Sequence, residues 1–326
     1  MPNHEAAEST PANSLGMAAI RASPRKTLDM KIGLVGLGNI GVHLGTRLLA
    51  AGHELLVHDR NDTMQQRLVA KGATGVGNAK ELASQTEIVL LCLPMPRIVA
   101  DVASEVAQGC AVRIVVDLST TGPSVTKEVE ALLKARDIAL IGAPVSGGTV
   151  AAEKGTLAVM PAGSEAAYRE VEALLRVIGK SIFYLGADPS LGQTMKIINN
   201  TLYATSMVAS CEALVYGVKA GLDSKTMLDV INVSSGRSFA TLERIPQCAL
   251  DRSFPIRFTT ELLHKDIKMC IDEAEKIGAP MLVSPAARQF LAFAITQGDA
   301  QQDNVYPIRH FEGWAGVQFG EAGNKA

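Results

Sequence analysis

The sequence has no long apolar run, no large net charge and no closely spaced cysteines. Its longest apolar stretches, such as IVLLCLPM, are far shorter than the roughly 20 residues of a membrane-spanning helix, so no membrane association is expected. The formal net charge of −2 excludes the broad basic field by which proteins attract nucleic acid. The five cysteines lack metal-ligand spacing, which predicts no metal site and reduced thiols in a cytoplasmic protein.

Residues 1–29 lack the hydrophobic periodicity of a folded segment and are rich in Ala, Ser, Pro and Asn. We expect them to form a disordered extension. They contain no apolar segment of secretory length, so a signal peptide is not expected. Basic residues near the end of this segment leave a transit peptide open, although Glu5 and Glu8 argue against it.

The rest of the 326-residue chain is long enough for two domains with sizeable cores. From Lys31 to Gly186, short apolar segments alternate with segments of helical spacing. This alternation is typical of βαβ units and predicts a parallel sheet within residues 30–190. Beyond it only helical patterns occur, from a long helix at Gln193–Ala220 to a last helix at 301–311. The sequence therefore predicts an α/β domain joined by the long helix to an all-α C-terminal domain of residues 191–326.

Gly36, Gly38 and Gly41 form the pattern G-x-G-x-x-G between the apolar segment KIGLVG and a helix. The first glycine allows a tight turn, the second lets a pyrophosphate approach the backbone, and the third lets helix and strand pack closely. The N–H groups at the helix start, at Asn39 and Ile40, can then bind the anion. Three glycines can also be ordinary turn residues, but their place in a βαβ unit predicts a Rossmann-type dinucleotide-binding domain.

Asp59 and Arg60 follow the second predicted strand and bear on the choice of cofactor. A carboxylate here can accept hydrogen bonds from the adenosine ribose and would repel a 2′-phosphate, which favours NAD. The guanidinium of Arg60 can instead pair with that phosphate, so NADP remains an alternative. Leu93 and Pro94 end a further strand at the edge where open α/β sheets bind ligands, or they mark an ordinary strand end.

Two more predicted strand ends carry groups suited to a small ligand. The hydroxyl groups of Ser119, Thr120 and Thr121, in DLSTTGP, can bind cofactor or substrate, or they can cap the helix that follows. In APVSGG, Ser146 precedes Gly147 and Gly148. A hydroxyl beside exposed backbone N–H groups suits a carboxylate, but the segment can also be a plain turn.

Lys196 and Asn200 lie one turn apart near the start of the long helix, whose sequence is apolar nearly all round and therefore predicts burial. Burial lowers the pKa of a lysine, which can then accept and donate protons near neutral pH. Alternatively, Lys196 extends to solvent from the helix end. Lys265 and Asp266, in HKDIKM, form either a second charged site or part of a solvated helix face.

Taken together and in this order, GLGNIG, DLSTTGP, APVSGG, GQTMKIINN and HKDIKM resemble the motifs of the β-hydroxyacid dehydrogenase family. The resemblance extends from about Lys31 to about Gln302. It implies NAD(P)-dependent hydride transfer between a small 3-hydroxy acid and its semialdehyde, in a homodimer or homotetramer. Two alternatives remain. Imine-reducing relatives share the scaffold but generally lack the lysine, and a dinucleotide sensor without turnover would need neither Lys196 nor Asn200.

The resemblance also assigns roles to individual residues. It implies that Lys196 is the catalytic acid/base and that Asn200 assists it. The C-terminal segment YPIRHFEGWAGVQFG matches no family motif and is open to two interpretations, a wall of the substrate pocket or a subunit contact. The substrate carboxylate is expected near Ser119, Ser146, Gly147 and Gly148, and the cofactor side of the cleft is expected to carry Thr120, Lys265 and the supporting Asp266.

Overall fold

Strands alternate with helices along the first half of the chain, as the sequence predicts. The computed structural model describes residues 31–320, so the predicted extension at residues 1–29 lies outside the described residues. The main sheet and its helices comprise, in chain order, β1 (Lys31–Val35), α1 (Gly41–Ala50), β2 (Glu54–His58), α2 (Asp62–Val69), β3 (Thr74–Gly75), α3 (Ala79–Ala83), β4 (Ile88–Leu91), α4 (Pro96–Val106), β5 (Ile114–Asp117), α5 (Pro123–Lys134) and β6 (Ala139–Gly142).

The main sheet is parallel throughout, in the order β3-β2-β1-β4-β5-β6. Strands β1, β4 and β5 are buried almost completely, as expected when apolar clusters cover both faces of a parallel sheet. The direction of strand addition reverses between β1 and β4, where Val35 pairs with Leu91. Open α/β sheets bind ligands at such a reversal, outside the carboxyl ends of the strands. The segments after β1, β4 and β5 therefore meet at the ligand-binding edge.

The chain after β6 leaves the main sheet. It forms β7 (Val145–Ser146), α6 (Gly148–Lys154), β8 (Leu157–Val159), α7 (Glu165–Ile178) and β9 (Gly179–Ile182). These strands make a second sheet in the order β7-β8-β9, in which β7 is antiparallel to β8. Pro144 separates β6 from β7, and a proline has no N–H for the hydrogen-bond ladder. The sequence did not predict this second sheet, because strand patterns do not specify which strands pair.

The second half of the described chain is helical. The predicted last helix at 301–311 is wrong in position, because turns continue to Pro307 and the fixed φ of that proline suits the start of a helix at Ile308. The boundary predicted at residues 190 and 191 stays a prediction. The elements are α8 (Ser190–Lys219), α9 (Ser224–Asn232), a π-helical turn (Ala240–Arg244), α10 (Thr260–Lys276), α11 (Ser284–Ala294), a second π-helical turn (Ile295–Asp299) and α12 (Ile308–Ala315).

Helix α8 is the long connecting helix and begins three residues earlier than predicted. Helices α10, α11 and α12 pack against it, and α5 and β6 contact it from the other domain. The expectation of burial on all sides is wrong within this chain, because neighbouring elements cover only part of its circumference. None of the described helices is long and apolar enough to cross a membrane. The outer row of α8 exposes Leu191, Met195, Ile198, Leu202 and Tyr216.

Candidate active site

The three glycines after β1 differ in what surrounds them. A Cβ placed on Gly36 would lie 2.3 Å from the carbonyl oxygen of Cys92, and the φ of Gly36 is +93°. A Cβ on Gly41 would lie 2.0 Å from the carbonyl oxygen of Gly36, so both positions require glycine for internal packing. A Cβ on Gly38 would meet no atom within 4 Å. The open side of the loop is thus at Gly38, where a pyrophosphate would need close approach, and the residues fit a dinucleotide.

The start of helix α1 gives this open side its charge preference. Helix α1 begins at Gly41 with Ile40 as its N-cap, and its first turn holds no acidic side chain. The first N–H groups of a helix have no acceptor within the helix and carry partial positive charge. Gly38 and Asn39 are exposed beside them. The predicted cofactor loop therefore combines space for an anion with free backbone donors.

Asp59 is tied directly to the glycine loop. Its Oδ2 accepts a hydrogen bond of 2.7 Å from the N–H of Leu37, and its Oδ1 accepts one of 2.8 Å from the N–H of Asn61. A carboxylate has about four lone-pair sites, so acceptor capacity remains for ribose hydroxyls. Arg60 is exposed and forms no ion pair within the described chain. Both residues lie at the carboxyl end of β2, as predicted, but only Asp59 has a fixed position.

Ser119 joins two of the strand ends. Its Oγ accepts a hydrogen bond of 2.9 Å from the N–H of Leu93 and lies 3.5 Å from the carbonyl oxygen of Leu91. The side chain is buried, and Leu93 packs beside Gly36. Ser119 therefore holds the ends of β4 and β5 together next to the cofactor loop. The hydroxyl is thus already engaged by backbone groups. Its predicted contact with a substrate carboxylate stays a prediction.

Lys265 connects the helical domain to the sheet edge. From α10 its Nζ donates to the carbonyl oxygens of Pro94, at 3.3 Å, and Thr120, at 3.2 Å. The same Nζ lies 3.1 Å from Oδ1 of Asp266, an ion-pair distance without good hydrogen-bond geometry. Both side chains are largely buried, so the solvated-face interpretation of HKDIKM is wrong here. Four predicted cofactor-side residues thus come together across the two domains.

Asn200 lies on the other side of Asp266. Its Nδ2 donates a hydrogen bond of 2.6 Å to Oδ2 of Asp266, and its Oδ1 accepts one of 3.1 Å from Asn199. Asp266 is 2% exposed and so takes its partners only from this network. The contacts run from Asn200 through Asp266 and Lys265 to the backbone at the ends of β4 and β5. This network fixes the face of α8 that carries Lys196.

Lys196, on α8, is buried and is 8% exposed. Its ammonium group has no hydrogen-bond or ion-pair partner within the described chain. The pKa of Lys196 is lowered to about 8. Burial is the main cause, the Asp266 carboxylate opposes it with a smaller effect, and the charge of Lys265 also lowers the pKa. A buried lysine whose amine is half neutral near pH 8 can act as base and as acid. The alternative of a lysine extending to solvent is not supported.

Two polar residues at this edge, Asp117 and Gln193, escaped the sequence interpretation. Asp117 accepts from the N–H of Ser119 at 2.9 Å and from Oγ1 of Thr121 at 2.5 Å, and burial raises the pKa of its carboxyl group. Gln193 accepts from the N–H of Thr121 at 2.9 Å and donates to the carbonyl oxygen of Ser119 at 3.0 Å. The sequence offered one signal for Gln193, since it is a polar residue one turn before Lys196 on an otherwise apolar helix.

The APVSGG segment lies where α8 meets the sheets. A Cβ on Gly192 would be 2.5 Å from the carbonyl oxygen of Gly142 and 3.2 Å from Cδ of Pro144, so this glycine allows the helix to touch the β6–β7 junction. Gly147 and Gly148 follow Ser146 with φ of +130° and +68°, and a Cβ on Gly148 would meet nothing within 4 Å. The segment therefore presents open backbone at Gly148, and its first residues contact α8 at Gly192, one turn before Lys196. Its role as carboxylate site stays a prediction.

The C-terminal aromatic segment forms part of a ring cluster. Phe311 stacks on Phe290 of α11 with centroids 4.4 Å apart, and Trp314 lies 5.4 Å from Phe293. Trp314 is 64% exposed. Neither interpretation of this segment, pocket wall or subunit contact, is tested by these contacts. Among residues 31–320, no group of three His, Cys, Asp or Glu side chains is arranged to hold a metal ion.

Comparison with known proteins identifies the relatives of this chain. Residues 31–186 match the family description "NAD binding domain of 6-phosphogluconate dehydrogenase", and residues 190–311 match "NAD-binding of NADP-dependent 3-hydroxyisobutyrate dehydrogenase". The chain is 33% identical over 293 residues to 2-(hydroxymethyl)glutarate dehydrogenase of Eubacterium barkeri, covering 89% of this chain and 97% of that relative. It is 34% identical over 283 residues to a probable mitochondrial 3-hydroxyisobutyrate dehydrogenase of Dictyostelium discoideum, covering 83% and 88%.

Solved structures show the same relationship. The 3-hydroxyisobutyrate dehydrogenase of Mycobacterium tuberculosis, described with L-serine, is similar with a TM-score of 0.79 and 28% identity, covering 87% of this chain and 99% of that one. An imine reductase from a Pseudomonas species is more distant, with a TM-score of 0.55 and 18% identity. That second likeness shows a shared fold alone.

Proposed function

The chain belongs to the β-hydroxyacid dehydrogenase family, and on this premise we propose how its own residues carry out the reaction. It is an NAD(P)-dependent oxidoreductase that interconverts hydroxy acids and semialdehydes. We propose a small 3-hydroxy acid as its substrate and Lys196 as its general acid/base. The observation that carries this proposal is the burial of Lys196 without a partner, beside the Asn200–Asp266–Lys265 network.

Lys196 handles the proton of the reaction. In oxidation its neutral amine takes the proton of the substrate hydroxyl, and in reduction its ammonium returns a proton to the carbonyl oxygen. Bound NAD(P) supplies the acceptor or donor of the hydride that leaves or joins the same carbon. Asn200 is held by Asp266, so its remaining amide hydrogen can be directed to the substrate oxygen or to Lys196.

The cofactor is proposed to lie along the carboxyl ends of β1, β2 and β4. The N–H groups around Gly38 and Ile40 would hold its pyrophosphate, and Asp59 would accept from its adenosine ribose. Leu93 and Lys265 would border its nicotinamide end. We propose NAD as the preferred form, since the carboxylate of Asp59 is fixed in place while Arg60 is free to turn towards solvent.

The substrate carboxylate is proposed to bind at Ser146, Gly147 and Gly148. The open backbone at Gly148 and the positive φ at both glycines support this, because consecutive N–H groups in such a turn form an anion-binding nest. A turn serving only to reverse the chain would not need the space around Gly148. A small substituent on the substrate fits better than a bulky one, since α8 approaches this segment closely at Gly192.

Association of subunits is also proposed. The outer row of α8 exposes five large apolar side chains, which favours burial against a second copy. A homodimer or homotetramer is therefore expected, and light scattering of the purified chain measures this directly. All five cysteines are unpaired, which supports a reducing compartment such as the cytoplasm.

The decisive experiment is a substrate panel. We expect NAD-dependent oxidation of at least one small 3-hydroxy acid, followed by NADH absorbance, and reduction of the corresponding semialdehyde. Cyclic imines with NADPH form the comparison arm, and a sensor without turnover would oxidise nothing while still binding NADH. A chain that reduced imines but left every 3-hydroxy acid unchanged would contradict the proposal.

A further inference from the structure

Gln193 occupies an unusual position for an uncharged polar side chain. It is fully buried on α8, one turn before Lys196, and faces the loop that follows β5. Its amide contacts three groups of that loop and the side chain of Asp117, the last residue of β5. Oε1 accepts from the N–H groups of Thr121, at 2.9 Å, and Gly122, at 3.3 Å, while Nε2 donates to the carbonyl oxygen of Ser119, at 3.0 Å, and lies 3.4 Å from Oδ2 of Asp117.

These contacts use the whole hydrogen-bonding capacity of the amide. A glutamine has two donor hydrogens and one carbonyl oxygen with two lone pairs, and all four find partners here. A helix residue that served only packing would not need two donors and two acceptors. The neighbouring Thr194 does not bond to the loop, since its hydroxyl bonds back to Ser190 of its own helix.

The loop itself connects the two sides of the predicted cleft. Ser119 is bonded to Leu93 beside the cofactor loop, and the carbonyl of Thr120 accepts from Lys265. Gly122 ends the loop at φ of +79°, and a Cβ there would lie 2.2 Å from Sδ of Met269. The loop is thus held from the sheet and from α10. Gln193 is its bond to the helix that carries the proposed acid/base.

We propose that Gln193 is a positioning residue, which sets the distance between Lys196 on α8 and the strand-end loop of residues 117–122 that borders cofactor and substrate. This inference rests on the proposed function, since it assigns to Gln193 the alignment of the lysine with the reacting carbon. Gln193 is fully buried with its amide occupied by the loop, so we assign it no contact with substrate or cofactor. A displacement of about 1 Å at a reacting pair can cost on the order of a hundredfold in rate.

Two variants and one control test the proposal. Gln193→Ala removes all four contacts, whereas Gln193→Glu keeps the volume and, when protonated, one donor and the accepting oxygen. Ionised, the glutamate repels Asp117 and cannot donate. Lys219→Ala is the control, because Lys219 is exposed in the last turn of the same helix and lies outside the apolar row proposed to contact a second copy. The wild type, both variants and the control are all full-length proteins, and far-UV circular dichroism checks that each is folded.

Amide exchange measures the contact without any turnover. We expect the N–H groups of Thr121 and Gly122 to exchange at least about tenfold faster in Gln193→Ala than in Lys219→Ala. Equal protection in the two variants would overturn the proposal. A wild-type chain that oxidised no 3-hydroxy acid would remove the proposed function, and the exchange result would still decide whether Gln193 fixes the loop.

Kinetics separate positioning from a purely structural role. For Gln193→Ala we expect kcat to fall about 10- to 100-fold while the dissociation constant of NADH stays within about twofold. For Gln193→Glu we expect activity close to wild type at pH 6 and a loss of at least about tenfold at pH 9, in oxidation and in reduction alike. An effect exerted only through the charge of Lys196 would slow oxidation and speed reduction, so opposite changes, or a kcat of Gln193→Ala within about twofold of the control, would refute the proposal.

Discussion

The pKa of Lys196 leads to a prediction about both directions of the reaction. With a pKa of about 8, about 9% of the side chain is neutral at pH 7, about half at pH 8 and about 90% at pH 9. Oxidation requires the neutral amine, so its kcat/KM should rise about tenfold from pH 7 to pH 9. Reduction requires the ammonium, so its kcat/KM should fall about tenfold over the same range. The two profiles should mirror each other around pH 8.

Removing the lysine should abolish the pH-dependent limb of each profile, the rise of oxidation and the fall of reduction around pH 8. We expect Lys196→Ala to lower kcat by about 10²- to 10⁴-fold, the usual contribution of a general acid/base. NADH binding, followed by the change in NADH fluorescence, should be unaffected, because the proposed phosphate contacts are made by the glycine loop after β1 and not by α8. Lys219→Ala is the matched control, since Lys219 is exposed in the last turn of the same helix.

Initial rates in both directions, measured by NADH absorbance between pH 6 and pH 10, decide the question. Profiles that rise together with pH would show that a group other than Lys196 titrates. A Lys196→Ala variant that kept most of its kcat, or kept a limb near pH 8, would refute the assignment of the lysine as acid/base.

Three further outcomes are expected. Asp59→Ala should raise the kcat/KM ratio of NADP to NAD by removing the charge that repels a 2′-phosphate, and an unchanged ratio would exclude Asp59 from cofactor choice. Gly38→Ala should weaken NADH binding with little change in melting temperature, whereas Gly41→Ala should lower the melting temperature because its Cβ meets the Gly36 carbonyl; calorimetry and NADH titration compare the two. Lys196→Met should raise the unfolding free energy by about 3 kcal/mol at pH 7 and by less than about 1 kcal/mol at pH 10, measured by urea unfolding.

The sign of the last expectation follows from proton linkage. The pKa of Lys196 is about 8 in the folded chain and 10.5, the ordinary value for lysine, in the unfolded chain. The unfolded chain therefore binds the proton more tightly. Between these two values the wild-type protein gains stability as the pH rises. Methionine has no proton to lose, so its advantage should shrink over the same interval. A constant difference between the variants across pH would contradict the lowered pKa.

Local features of the site were predictable from sequence because they depend on short spacing. Lys196 and Asn200 are one turn apart on a helix, and this alone places them on one face. The three glycines after β1 are likewise read from their position between a strand and a helix. The parallel sheet followed from alternation of strand and helix patterns, since each βαβ crossover returns the chain in the same direction.

The contacts that complete the site were not predictable, because they join distant parts of the chain. Lys265 reaches the backbone of Pro94 across 171 residues of sequence, and Gln193 reaches Thr121 across 72. Their partners are backbone groups, which carry no signal of residue type. The misplaced last helix also depends on distant contacts, because the backbone of residues 300–304 bonds to the backbone of residues 258–261 around the start of α10.

The network around Lys196 explains why its pKa lies near neutrality rather than at either extreme. Burial lowers the pKa of Lys196 and so favours the neutral amine, whereas reduction requires the ammonium. A direct ion pair with Asp266 would stabilise the ammonium and leave too little base for oxidation. The two oxygens of Asp266 already have partners, Asn200 and Lys265. The carboxylate therefore raises the pKa of Lys196 without contacting it, and the charge of Lys265 lowers that pKa. A reversible acid/base requires this intermediate balance, and it follows that neutralising Asp266 should move the oxidation limb to lower pH.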